Sequence, residues 1–178
     1  TLIHLPGRHP RPLFVSALLH GNEDAGLKAA QAVLARYQDR TLPRALSLFI
    51  GNVHAAAADQ RHLDGQPDFN RVWPGADTPL RAEHLMMAQI VAAMRDRQVF
   101  ASIDIHNNTG LNPHYACVNR LDQPFLHLAT LFSRIVVYFE RPLGVQSAAF
   151  ARLCPAVTVE CGQAGNTAGE EHAARFLD

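Results

Sequence analysis

The chain has 178 residues, 48% of them hydrophobic and 18% charged, and its 16 Lys and Arg balance its 16 Asp and Glu. This describes one globular domain able to bury roughly two-thirds of the surface its unfolded chain exposes, and a pI near 7.1 removes the broad basic footprint of a nucleic-acid binder. No apolar run approaches the roughly 20 residues that span a bilayer, no N-terminal series reads as a signal peptide, and Cys117, Cys154 and Cys161 are too few for a disulfide framework, so a soluble chain in a reducing, cytoplasmic setting is expected.

Pro12 to Leu19 form a short apolar run, which predicts a buried strand leading into His20, Gly21, Asn22 and Glu23. Asp24 has the chemistry to cap a helix, and Leu27, Ala30, Leu34 and Tyr37 follow helical spacing. The only lysine, Lys28, falls inside this helix, which leaves no candidate for Schiff-base chemistry or a phosphate-cradling loop. A second strand is predicted at Leu46 to Gly51. From Asn52 to Asp77 the pattern fails, with Gly65, Pro67, Pro74 and Gly75 punctuating a loop of functional length. Thr78 and Pro79 make a helix start, and Met87, Ile90, Val91 and Met94 continue one apolar face to about Arg97. A buried strand is predicted at Val99 to Ile105, a helix at Leu121 to Ser133, strands at Ile135 to Phe139 and Ala156 to Glu160, and a terminal helix at Thr167 to Leu177. This alternation predicts an α/β sandwich around a largely parallel or mixed sheet, whose ligands gather beyond the carboxyl ends of the strands.

Ten histidines are the chain's chemical excess, and histidine is the commonest metal ligand. His20 with Glu23, His106, and Glu160 all stand at predicted strand ends. Two histidines and one carboxylate form the open ligand set of a catalytic zinc, and His20, Glu23 and His106 supply it. Taken singly, a histidine after a strand is more often a satisfied loop residue than a ligand. Asn70 and Arg71, beside the lone tryptophan Trp73, read either as an anion clamp, for which arginine's planar fork is suited, or as a solvated loop over a core plug. Asp104 lies two residues before His106 and reads either as the acceptor of that ring's second N–H or as an exposed strand-end aspartate. Asn107, Asn108, Thr109 and Gly110 read as a polar turn beside the metal, with Asn108 a candidate substrate contact.

Taken in order, His20 to Glu23, Asn52 to Ala55, Arg61, Asp68 to Arg71, Asp104 to His106 and Val159 to Gly162 resemble the zinc carboxypeptidase-like hydrolases, within them the succinylglutamate desuccinylase/aspartoacylase branch. The resemblance implies a three-layer α/β sandwich with a mixed, largely parallel central sheet. It also implies one Zn2+ held by His20, Glu23 and His106, a catalytic Glu160, a carbonyl-polarising Arg61, and a substrate-carboxylate clamp of Asn70 and Arg71. Val53 stands where the family has proline, and Arg152 is near the position of a further substrate arginine without aligning cleanly. Members of the branch continue into a C-terminal β-rich domain, so residues 1–178 are expected to be a trimmed catalytic core without it. The implied reaction is hydrolysis of an N-acyl amino acid or similar small amide, with no nucleic-acid or membrane partner. A carboxypeptidase acting on peptide C-termini and a non-catalytic zinc module are the alternatives.

Overall fold

Residues 1–178 are described by a computed structural model. Seven strands form one sheet: β1 (Leu2–Leu5), β2 (Gly7–Ala17), β3 (Leu42–Ile50), β4 (Ala101–Asn108), β5 (Tyr115–Val118), β6 (Val136–Tyr138) and β7 (Ala156–Gln163). Their order is β1-β3-β2-β4-β7-β5-β6. The pairs β3/β2, β2/β4 and β4/β7 are parallel, whereas β1 runs against β3 and β5 against β7. The sheet is therefore mixed with a parallel centre, and helices cover both faces. One face carries α1 (Ala25–Arg36), α4 (Gln123–Phe132) and α6 (Thr167–Leu177). Against the other lie α5 (Gln146–Phe150) and Trp73, where Phe14 of β2 stacks on Phe150 at 4.4 Å and Trp73 meets both Phe49 and Phe150 edge-on. The buried residues Met87, Ile90, Val91 and Met94 of α3 (Ala82–Asp96) join the same core. Trp73 is thus the core plug of the two readings.

Several predicted boundaries move, each for a physical reason. Before Pro12 the chain is already extended, because β1 and the outer half of β2 form an edge where Pro6, Pro10 and Pro12 are tolerated and the register slips between His9 and Leu13. The helix expected from Thr78 starts at Ala82; instead, the His84 ring accepts the Arg81 N–H at 3.1 Å and meets the Thr78 hydroxyl at 2.9 Å. Helix α1 turns a different face inward than expected. Ala25, Gly26, Ala29, Ala30 and Val33 are buried, while Leu27 and Leu34 are only partly covered. A Cβ at Gly26 would stand 3.0 Å from the Cβ atoms of both Ala17 and Ile105, so helix and sheet approach too closely for larger side chains. Asp24 does not cap α1 through its side chain; the Ala25 N–H is capped by Asn107 Oδ1 at 3.1 Å, and Asp24 pairs with Lys28. Within the long loop, α2 (Val53–Ala57) is a single short turn capped by Asn52. Asn107 and Asn108 are the last strand residues of β4 rather than a turn.

Candidate metal centre and cleft

Leu18, at the end of β2, has a φ of 55°, a left-handed conformation that swings the chain off the sheet into His20. The Glu23 N–H then returns to the His20 carbonyl at 3.2 Å, closing a turn that sets both side chains on one side. His106 arrives from β4, next but one in the sheet from β3 and directly beside β2. The ligand atoms of His20, Glu23 and His106 all lie within 4.8 Å of one another, and all three residues are buried. His20 Nδ1 is 2.9 Å from Glu23 Oε1; His106 Nδ1 is 2.7 Å from Glu23 Oε2 and 3.2 Å from His20 Nδ1.

Both rings are held from behind. His20 Nε2 donates to Asp68 Oδ1 at 3.0 Å, and His106 Nε2 donates to Asp104 Oδ2 at 2.7 Å. With a proton on each Nε2, the Nδ1 of each ring faces the shared centre, where it would turn a lone pair to a cation in place of the N–H it gives Glu23 in the metal-free site, as when carboxylates orient metal-ligating histidines. Asp104 is itself fully buried and held by the Ser16 hydroxyl at 2.6 Å and Asn70 Nδ2 at 3.2 Å. Nothing in the sequence around Asp68 gives it this role, because no periodicity marks a carboxylate in an irregular loop as the partner of a ring 48 residues away. Two nitrogens and a carboxylate, buried and pre-aimed, fit a divalent cation of borderline softness.

The charges follow from this packing. Burial alone would raise the Glu23 carboxyl, but hydrogen bonds from and charges on His106 and His20 outweigh it and hold it down at about 2. Burial would lower His106, and the Asp104 carboxylate overrides it and raises the ring well above its ordinary value. Asp68 is likewise held far below the usual carboxylate range despite its burial, chiefly by His20. Glu160, beside His106 in register on β7, moves the other way: burial pushes it up to about 7, with His106 pulling down and Glu23 pushing up. Its Oε2 has no hydrogen-bond partner.

These residues open onto a cleft of roughly 310 Å³, also lined by Arg61, Asn70, Arg71, Asn108 and Glu160. Arg61 reaches Glu23 Oε1 at 3.3 Å and Asp68 Oδ2 at 3.0 Å. Asn70 is drawn inward, donating to Asp104 while its Oδ1 accepts the Gln146 N–H at 2.8 Å, so its amide stiffens the site. Arg71 donates from Nη1 to the Asn70 carbonyl at 2.7 Å. Both amide atoms of Asn108 are buried without a partner, next to Glu160. Asn107 is committed to scaffolding: its N–H binds Glu23 Oε2 at 3.2 Å, and its side chain bridges α1 and the Gly162 carbonyl. Arg152 is exposed, with Nη2 beside Gly75, and does not line the cleft. A separate apolar cleft of roughly 200 Å³, between α1 and the lower ends of β2 and β3, contains none of these groups.

The family model of the succinylglutamate desuccinylase/aspartoacylase catalytic domain matches residues 10–178. No curated protein matches the chain. Among solved structures, the succinylglutamate desuccinylase of Chromobacterium violaceum superposes with a TM-score of 0.81 at 18% identity, over 99% of this chain and 62% of that one. The product-bound ectoine utilization protein of Ruegeria pomeroyi gives 0.79 at 18% identity, over 99% and 58%. A candidate metallopeptidase from Shewanella amazonensis gives 0.77 at 16% identity, over 99% and 80%. The chain spans 62% and 60% of the length of two desuccinylases it resembles, from Chromobacterium violaceum and Vibrio parahaemolyticus. At these identities the likeness is one of fold.

Proposed function

The chain belongs to the family of the succinylglutamate desuccinylase/aspartoacylase catalytic domain, and from this we propose that it is the catalytic part of a zinc-dependent hydrolase cleaving the amide bond of an N-acyl amino acid. One observation carries the reading: two Nδ1 atoms and a carboxylate converge, each ring fixed by its own carboxylate, with a partnerless Glu160 oxygen opening onto the same cleft.

His20, Glu23 and His106 would hold the ion, which when bound supplies Lewis-acid activation of water and of the scissile carbonyl. Glu160 Oε2 takes the proton from the attacking water and passes it to the leaving amine nitrogen. A carboxyl near 7 in the metal-free cleft is poised for both directions of transfer. Arg61, 45% exposed and anchored by Glu23 and Asp68, presents its remaining edge toward the carbonyl oxygen, where negative charge grows. Arg71 takes the substrate carboxylate, and Asn108 offers its free amide to the bond being cleaved. Three free cysteines fit a reducing compartment, and no helix is long and apolar enough to cross a membrane.

A carboxypeptidase would use the same residues along a groove for a longer chain; a cleft of roughly 310 Å³ favours a small substrate. The unpartnered Glu160 disfavours a purely structural ion, which would close its coordination with protein ligands. The test is Glu160→Gln in the zinc-loaded, full-length protein. It should keep metal and fold while losing about two orders of magnitude or more in kcat on N-acyl amino acids. Unchanged turnover would refute the mechanism.

A further inference from the structure

The loop from Gly65 to Val72 borders two pockets. One is the cleft of the metal centre. The other, of roughly 380 Å³, is closed by Thr78, Pro79, Arg81 and His84, and Arg71 lines both. Every group that builds the second pocket comes from residues 65–84, and hydrogen bonds fix which atom each polar side chain has left over.

Gln66 Oε1 accepts Asn52 Nδ2 at 2.8 Å and the Leu63 N–H at 3.1 Å, so its amide nitrogen is the end that remains. His84 Nδ1 accepts the Arg81 N–H at 3.1 Å, which puts the ring proton on Nε2. That N–H donates to Thr78 Oγ1 at 2.9 Å, and the Thr78 O–H is left to donate elsewhere. Arg81 and Arg71 each spend one terminal nitrogen on a backbone carbonyl, that of Gly65 at 2.8 Å and that of Asn70 at 2.7 Å, and keep a second terminal nitrogen and Nε. Asp68, the one carboxylate of the lining, is already taken: its Oδ1 accepts from His20 and the Asn70 N–H, and its Oδ2 from Arg61.

The pocket therefore presents donors, two guanidinium edges, a hydroxyl and an amide, and carries two positive charges. The matching ligand has acceptors only and close to two negative charges. A carboxylate occupies one guanidinium and leaves the other donors unmatched, whereas a phosphoryl group has three acceptor oxygens and the charge for both arginines. We propose that this pocket binds a phosphoryl group, held by Arg81 and Arg71 with the Thr78 hydroxyl and the Gln66 amide. Occupancy draws Arg71 away from the cleft. Resting on the hydrolase reading above, bound phosphate then raises KM for the acyl amino acid and leaves kcat alone, because the Arg71 contact is made in the ground state and the transition state alike.

The experiment is calorimetry on the zinc-loaded, full-length protein with inorganic phosphate and glycerol 3-phosphate, the tighter of the two identifying the source as the free anion or an ester. Arg81→Ala should weaken binding about tenfold or more and Thr78→Val about threefold or more, with kcat and KM in phosphate-free buffer unchanged. Both positions are exposed, and should Arg81→Ala not fold, Thr78→Val decides. Either probe should raise KM for N-acetyl-leucine, and Arg81→Ala should need about tenfold more of it for the same rise. If no acyl amino acid is hydrolysed but binding depends on Arg81 and Thr78, the hydrolase reading fails and the site stands. No heat from either probe, or binding indifferent to both substitutions, as for phosphate on the zinc, would overturn the site. Binding that depends on Arg81 and leaves KM unchanged would overturn the coupling through Arg71.

Discussion

Along β2, β4 and β7 the middle of the sheet and its carboxyl end follow opposite rules. In the middle, Phe14, Val15, Ile103 and Val157 are buried, apolar and non-directional in what they contribute. A few residues on, Ser16, Asp104 and His106, with His20 and Glu23 off the strand end, are as deeply buried and polar. An apolar position accepts other side chains of similar volume at modest cost. Each polar one has a single arrangement that satisfies it: Asp104 takes bonds from Ser16, Asn70 and His106 at once, and Glu23 from both rings, Arg61 and the Asn107 backbone. The middle supplies free energy without specifying chemistry, and the end specifies chemistry while depending on that free energy.

Substitutions can break this division. Phe150→Ala, which empties the space between Phe14 and Trp73, should cost about 4 kcal/mol in urea unfolding of the metal-free protein while leaving kcat per folded molecule within about twofold. A large loss of kcat would mean that middle and end are not separable. Next in size, Asp68→Ala and Asp104→Asn should each weaken zinc affinity about 10- to 100-fold in chelator competition, because each releases a ring from its orienting carboxylate. Equal affinity in both variants would show that the rings are fixed by packing alone.

Glu160 sharpens the comparison through pH. Its folded-state carboxyl, raised from 4.5 to about 7, binds more protons than the unfolded chain between those values, so its contribution to stability falls as pH rises through that window. Glu160→Gln should therefore stabilise the metal-free protein at pH 8 by on the order of 2 kcal/mol, discounted for water contact, and have little effect at pH 4. A difference that grows toward acid pH would reverse the sign and the cause. The smallest effect belongs to the surface: Asp24→Ala should cost under about 0.5 kcal/mol, because Lys28 keeps Glu170 at 2.7 Å and the pair is solvated.

What could be read from the sequence divides along the same line. Apolar runs and helical spacing located five of the seven strands and the longer helices, since burial leaves a periodic record. They missed β1 and β5, short strands near the sheet margins, and they turned α1 by the wrong amount, because the close approach at Gly26 selects small rather than large apolar residues. At the polar end, His20, Glu23 and His106 were legible from residue type and strand-end position, and Asp104 from its spacing to His106. Asp68, Ser16 and Asn107 were not, because their partners lie 48, 88 and 82 residues away and no local pattern encodes the pairing. Asn70, expected in the substrate clamp, has its amide turned toward Asp104 and Gln146, an orientation set by the loop's tertiary course.

The most direct measurement is the anomalous scattering, at the zinc absorption edge, of crystals of the zinc-loaded full-length protein. The account predicts one peak, with His20 Nδ1, His106 Nδ1 and a Glu23 oxygen each within about 2.0 to 2.2 Å of it, and Asp68 and Asp104 still bonded to the two Nε2 atoms. A peak ligated through Nε2 of either ring, or one lying away from these three side chains, would contradict it.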